Sequence, residues 1–397
     1  MTLTLPQKSQ LFLKGHYGWL SFLIWIMMIG PVAALEMRVA IIQGASQVTI
    51  GSSTQAKILD GTGHPLGNLE AMQGFFARSS NTGITVANKQ ASQIWIQPND
   101  EGYVYIGEAC APSCGGHWYR GKVKLVRTGK GLIAVNYVDL EQYLASVLGK
   151  EMYPSWPQEA LKSQAVAARS YALYKRQRQT NRVYDVDSTT TYQVYDGIDG
   201  ESLSTQAAVA ATSGQVLTYQ GKIIEAVFHS ASGGHTENSE NVWIGVVPYL
   251  RGVPDFDQGT PAYQWAFTLT ATQLRERLPG VGNIISMMPV TRTPQGRVVT
   301  MKIVGDGGSR MLKGDQLRNA LGLKSTLFTV TPQMGLVAST TKASPIPVAF
   351  EITGRGFGHG LGLSQWGAYN MAMQGQSYQQ ILQHYYQGTT LSKVEVK

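Results

Sequence analysis

Residues 143–173, YLASVLGKEMYPSWPQEALKSQAVAARSYAL, decide how the chain is built. Just before them, Asp139 with Gln142 three residues later predicts a capping box. Leu140, Leu144, Val147 and Leu148 then form one apolar stripe at helical spacing. Gly149 and Pro154 are expected to close this helix near Glu151. Ser155 and Gln158 predict a second capping box, with Pro157 tolerated in the first turn, and a long Ala-rich helix runs on to about Gln179. Ala160, Ala165, Ala167, Ala168 and Ala172 keep that helix thin. Lys162 and Arg169, seven residues apart, share one of its faces about 10 Å apart along the axis.

On the N-terminal side, residues 37–42 (MRVAII), 93–97 (QIWIQ) and 103–106 (YVYI) are short alternating runs between Gly, Ser, Asn and Pro clusters. They read as strands of a small β module. Residues 122–127 (KVKLVR) and 132–137 (LIAVNY) flank Thr-Gly-Lys-Gly and read as a hairpin. After the long helix the patterning returns to β as far as Tyr249. Residues 257–348 read as an accessory β-rich insertion with one amphipathic stretch at 271–278. A glycine-rich loop at 354–362 precedes helical patterns at 364–374 and 378–386. The expected fold class is therefore α+β, a long central Ala-rich helix surrounded by β-rich subdomains with the accessory insertion. The expected units are a leader at 1–34, a β-rich module at 35–117, and a main domain at 118–397 that carries the insertion.

The whole chain has 397 residues, of which 43% are hydrophobic and 15% charged. That is too little charge for a disordered or coiled-coil protein. A net charge of +8 permits nucleic acid but suits an anionic surface such as a cell wall equally well. The N-terminus separates these. Lys8 and Lys14 precede an uncharged run at 17–30, and Pro31-Val-Ala-Ala34 follows, the order of a secretory signal. Residues 17–35 also approach membrane-spanning length, so an uncleaved anchor is the alternative. Either way the body of the protein is expected outside the cytoplasm, in periplasm, wall or medium, which sets nucleic acid aside. Two cysteines exclude a disulfide-dense scaffold. Cys110 and Cys114 are expected to form a local disulfide worth about 2 kcal/mol.

Among residues that carry chemistry, Glu151 comes first. It sits where a helix ends, among Met152, Tyr153, Pro154 and Trp156. Apolar and aromatic neighbours disfavour a carboxylate and raise its pKa toward that of a general acid. An ordinary acid capping a helix or pairing with Lys150 or Lys162 is the plain alternative. His229 and His235 flank Ser230-Ala-Ser-Gly-Gly234, with Glu237 and Glu240 beyond, at a spacing that matches no H-E-x-x-H motif. The G-x-S-x-G elbow of serine hydrolases is absent. The run GRGFGHGLG at 354–362 meets G-x-G-x-x-G only through glycine density. It lacks the acid about twenty residues on that a dinucleotide fold requires. His359 within it reads equally as metal ligand, general base or buried donor.

These blocks closely resemble the SpoIID/LytB family, named for the stage II sporulation protein D and the amidase enhancer. The resemblance rests on residues 143–173 and continues in TYQVYDG (191–197), FHSASGGHTENSENVW (228–243), PYLRGV (248–253) and GRGFGHGLGLSQWGA (354–368). It spans roughly 118–253 and 354 onward, and is loose in the insertion and before residue 118. It implies a lytic transglycosylase that cuts the N-acetylmuramic acid to N-acetylglucosamine β-1,4 bond of denuded peptidoglycan strands and leaves 1,6-anhydro ends. The catalytic glutamate of the family's E-M-P segment matches Glu151, although this chain has Glu-Met-Tyr-Pro, one residue more. The family's helix cations match Lys162 and Arg169, which would hold Glu151 or bind sugar. Ser230 and Ser232, the loop at His359, and Gln365 would line the glycan groove. Some members bind zinc through a His and two Cys near the SGG block; this chain has no cysteine there, so neither metal nor cofactor is expected. The amidase-enhancer branch implies the rival reading, a non-catalytic partner of a wall amidase.

Overall fold

Alternating runs in the N-terminal third build two sheets, antiparallel except for one parallel edge pair, in the computed structural model, which describes residues 35–108, 115–181, 183–189, 192–243, 245–335 and 346–394. The expected leader at 1–34 and the pair Cys110 and Cys114 lie outside the described residues. A seven-stranded sheet runs in the order Val186–Asp187, Glu36–Ala45, Gly131–Asp139, Lys122–Thr128, Gln93–Pro98, Ala56–Asp60 and Pro65–Leu69. The expected hairpin is its middle, with Val123 opposite Asn136 and Thr128 opposite Gly131. Ile94, Ile96, Val123, Leu125, Leu132 and Ala134 are buried on one face, as the period-2 pattern requires. The strand Gly116–Tyr119 belongs to the six-stranded partner sheet. It crosses the boundary expected at 117, so hydrogen bonding continues from the β module into the main domain.

The class is mixed α+β, mostly sheet. Helix α1 (Leu140–Glu151) begins at Asp139, whose carboxylate accepts from the backbone N–H of Glu141 and Gln142 at 2.9 and 3.1 Å. Asp139 caps alone; Gln142 does not complete a box. Helix α2 (Gln158–Arg178) is 21 residues long. Its N-cap is Pro157, with no side-chain cap, so the expected Ser155–Gln158 box does not form. Gln158 instead donates to the Ser204 carbonyl at 3.2 Å. The five alanines of α2 are fully buried, and their small size lets α1, α3 (Leu203–Ala211) and the two C-terminal helices Gln365–Met373 and Tyr378–Tyr385 pack around one helix.

Helix α1 closes at Glu151, as expected of the pair Gly149 and Pro154; Gly149 itself lies in its last turn, where a Cβ would come 2.0 Å from the Gly200 carbonyl oxygen. Glycine is required there because another chain segment passes at backbone contact. Residues 203–211, expected to continue β patterning, form α3 behind a Ser202–Thr205 capping box. Alanine supply and a strong cap outweigh the neighbouring strand-like pattern.

Residues 264–355 build two three-stranded sheets. One is ordered Gln264–Thr270, Ala349–Arg355, Phe328–Gln333, and the other Ile284–Arg292, Val298–Gly305, Gly308–Lys313. With α4 (Ser239–Val242) preceding them, helices α5 (Ala271–Arg277) and α6 (Gly314–Leu321) belong to this region. Trp265, Leu274, Met301, Ile303, Leu317, Phe350 and Ile352 form its own apolar core. The chain then enters the glycine-rich loop and ends in α7 (Gln365–Met373), α8 (Tyr378–Tyr385) and the strand Thr390–Lys393, which pairs with Gln215–Tyr219.

Candidate functional site

Glu151 is the last residue of α1. Met152 follows in extended conformation, its N–H still bonded to the Leu148 carbonyl, and a turn from Tyr153 to Trp156 leads into α2. The chain therefore leaves the carboxylate at a helix end, between two helices that are fixed by burial. Gln365, the first residue of α7, is placed by the Ser364 cap and donates its Nε2 to Glu151 Oε2 at 3.3 Å. Burial raises the Glu151 pKa above its ordinary value, only partly offset by the hydrogen bonds from Gln365 and the backbone of Val194. No cation relieves it: Lys150 is bonded to Asp196 at 2.8 Å, and among the described residues no ion pair reaches Glu151.

Glu151 lies where two cavities meet. One, of about 380 Å³, is walled by Tyr153, Trp156, Trp366, Pro261, Lys324 and Phe357. The other, of about 430 Å³, is walled by Tyr171, Lys175, Glu225, Trp243, His229 and His359. Glu151, Ser230, Phe357 and Gln365 belong to both. Trp156 and Trp366 have ring centroids 4.6 Å apart, and Tyr153 and Tyr369 join them. Such a wall offers flat apolar faces beside a few polar groups, the mixture that a sugar ring presents in return.

The glycine-rich loop sets the floor. Gly358 has φ of +118°, and a Cβ there would stand 2.6 Å from that of His229. His359 accepts from the Leu361 N–H at Nδ1 and donates from Nε2 to the Phe228 carbonyl, both at 3.0 Å. It is thus a half-buried structural donor, closest to the third of the readings its sequence left open. His229 donates from Nδ1 to the Leu361 carbonyl at 3.0 Å, and its buried Nε2 has no partner. Burial, with Arg297 nearby, pushes its pKa down to about 3. These residues do not fit a zinc site: His359 has spent both nitrogens, and among the described residues no three His, Cys, Asp or Glu side chains converge. Glu237 accepts from Thr293 and Asn241, and Glu240 pairs with Arg251 at 2.7 Å.

Of the expected site residues, Glu151, Ser230, Gln365 and His359 meet at the two cavities. Three do not. Arg169 is fully buried, bonded bidentately to Glu141 at 2.9 and 2.6 Å and to the Gln215 carbonyl at 3.0 Å. Its guanidinium is taken up by Glu141 at the start of α1, ten residues before Glu151, and by the Gln215 strand. Lys162 pairs with Glu159 at 2.7 Å and sits over the Tyr378 ring. Ser232 is fully buried and donates to Asp255 at 2.5 Å. Sequence reasoning missed Lys175 and Glu225, paired at 2.5 Å inside the second cavity, and the walls Trp243, Lys324 and Phe357. Lys175 stands one helical turn beyond Tyr171, so helical spacing from Tyr171 was the available signal.

The family model described as Stage II sporulation protein matches residues 128–219, and a domain of unknown function matches residues 248–362. An uncharacterized protein of Brachyspira hyodysenteriae is 34% identical over 274 residues, covering 69% of this chain and 72% of its own. Stage II sporulation protein D of Bacillus amyloliquefaciens is 35% identical, covering 66% of this chain and 76% of its own. The amidase enhancer of Bacillus subtilis is 32% identical, covering 63% of this chain and 40% of its own.

Proposed function

This chain belongs to the SpoIID/LytB family, and from that premise we propose that it is a lytic transglycosylase of denuded peptidoglycan strands, acting outside the cytoplasm. The observation that carries the reading is one desolvated acid, without a countercharge, at the junction of two sugar-sized cavities. A strand laid through both cavities presents one glycosidic bond to Glu151, with sugars bound on either side.

The raised pKa favours the protonated form of Glu151, which gives its proton to the glycosidic oxygen as the bond from C1 to that oxygen breaks. The 6-hydroxyl of the same muramic acid then bonds to C1, and its proton returns to Glu151. No water enters, the acid is restored, and one carboxyl group does both steps. A hydrolysing glycosidase ordinarily needs two. Gln365 would hold the carboxyl in register, and the Ser230 hydroxyl would meet sugar hydroxyls.

A second reading has its own support, the 32% identity to a protein named for enhancing an amidase. Incubation with denuded strands, alone and beside a wall amidase with its own substrate, separates the two. The transglycosylase reading expects anhydro-ended fragments from the protein alone and none from Glu151→Gln. Intact strands together with faster amidase turnover would establish the enhancer.

A further inference from the structure

A third cavity, of about 830 Å³, lies wholly in the accessory region and none of the chemistry above uses it. Its walls are continuous with the site. The segments that supply Ala262, Lys324 and Phe357 to the cavity beside Glu151 supply Gln264, Leu327 and Arg355 to this one, two or three residues along each chain. Two or three residues span at most about 7–11 Å, so the two cavities are neighbours.

Its lining is of one charge. Arg292 and Arg355 face it, with Gln264, Gln295, Thr329 and Thr353, and no carboxylate is among its walls. Arg292 is held by the Gly296 and Phe328 carbonyls at 2.5 and 3.0 Å, which orients the guanidinium without neutralising it. Arg355 is exposed, its guanidinium 3.5 Å from the Tyr263 hydroxyl. Both keep donors free, since a guanidinium has five. Thr329 and Thr353 are hydrogen bonded across adjacent strands at 2.8 Å, a row of hydroxyls on the outer face of the sheet. The nearest carboxylate on that face, Glu351, is one outward position beyond Thr353.

We infer that this cleft is a distal arm of the glycan groove that binds the carboxylates of a polysaccharide strand through Arg292 and Arg355. The inference rests on the proposed reading of the groove as a glycan groove and adds the substrate feature it selects. Removal of the stem peptide leaves each muramic acid with a free lactyl carboxylate held at the sugar ring, a carboxylate that amidation or an attached peptide replaces by a neutral amide. Planar carboxylates match the guanidinium fork, and the threonine and glutamine groups suit sugar hydroxyls.

The test uses denuded strands long enough to reach the cleft and a tetrasaccharide that spans only Glu151, with binding measured on the non-cleaving Glu151→Gln protein. Adding Arg292→Gln and Arg355→Gln is expected to weaken long-strand binding at least about tenfold. In otherwise native protein the same pair should leave tetrasaccharide cleavage unchanged. Long strands whose carboxylates are converted to amides should bind the parent as weakly as native strands bind the double variant, a comparison that needs no substitution in the cleft. Equal binding of native and amidated strands would overturn the inference. So would a phosphodiester wall polymer that binds through these arginines while glycan does not. Arginine-dependent binding of long strands without tetrasaccharide cleavage would support the arm and sink the transglycosylase reading.

Discussion

Arg169 and Glu151 are charges on consecutive helices, and the fold treats them in opposite ways. Arg169 is enclosed and fully answered: Glu141 meets it with both oxygens and the Gln215 carbonyl takes a third bond. Glu151 is enclosed and left with one long amide hydrogen bond from a side chain, a backbone N–H, and two cavities. A neutralised buried ion specifies packing and has nothing left to offer a ligand. A desolvated acid without a partner costs stability and retains a proton to give.

The comparison breaks most sharply at Arg169. Arg169→Met leaves Glu141 facing an apolar group, and we expect a loss of about 3 kcal/mol in denaturant titration, the low end for a buried pair because Glu141 keeps some solvent. Adding Glu141→Leu should recover much of it. If either variant retains its fold but loses cleavage of the tetrasaccharide, Arg169 is not merely structural.

Glu151→Gln should do the reverse. Turnover falls at least about 100-fold, while the protein becomes more stable at neutral pH. The sign follows from the raised carboxyl: the folded state holds the proton more tightly than the unfolded chain. Stability is therefore full below the unfolded value of about pH 4 and declines as pH rises through the folded value. The Gln variant should match the parent at low pH and exceed it above that window. A parent that is the more stable at pH 7 would contradict the desolvation argument.

A smaller effect is expected at Gly149, which carries no charge but lies in the last turn of α1, two residues before Glu151. Gly149→Ala drives a methyl into the Gly200 carbonyl, and a loss of about 2 kcal/mol with a displaced Glu151 should follow. A crystal structure of the variant with α1 unmoved would show that the carboxyl is placed from α7 instead.

The smallest effect is a titration. His229 is held neutral, with its pKa pushed down to about 3. The unfolded chain binds a proton that the folded one refuses, so stability declines as pH falls from about 6.5 toward 3. Imidazole resonances of His229 should stay constant between pH 8 and 5; a midpoint near 6.5 would mean that this floor is open to water.

Local signals made much of this legible. The Asp139 cap, the stripe from Leu140 to Leu148 and the alternation in residues 122–137 each act over a few residues. Glu151 was legible because its desolvating neighbours, Met152 and Trp156, adjoin it in sequence. Arg169 was not, because its partner Glu141 is 28 residues away and only tertiary packing joins them. Gly149 was legible as part of a helix end, but the Gly200 carbonyl that requires a glycine there arrives from a distant loop. Glu225 was invisible for the same reason, being brought to the cavity by its pairing with Lys175.

Glu225 also supplies the sharpest rival to a one-carboxyl mechanism, since it is a second carboxylate lining a cavity that Glu151 lines, although Lys175 already holds it. Cleavage of denuded strands in heavy-oxygen water distinguishes them directly. Attack by the 6-hydroxyl gives unlabelled 1,6-anhydro ends, lighter by one water than hydrolytic ends, and this is the result we predict. Reducing ends carrying the label, abolished by Glu225→Gln, would contradict it and make the protein a two-carboxylate hydrolase.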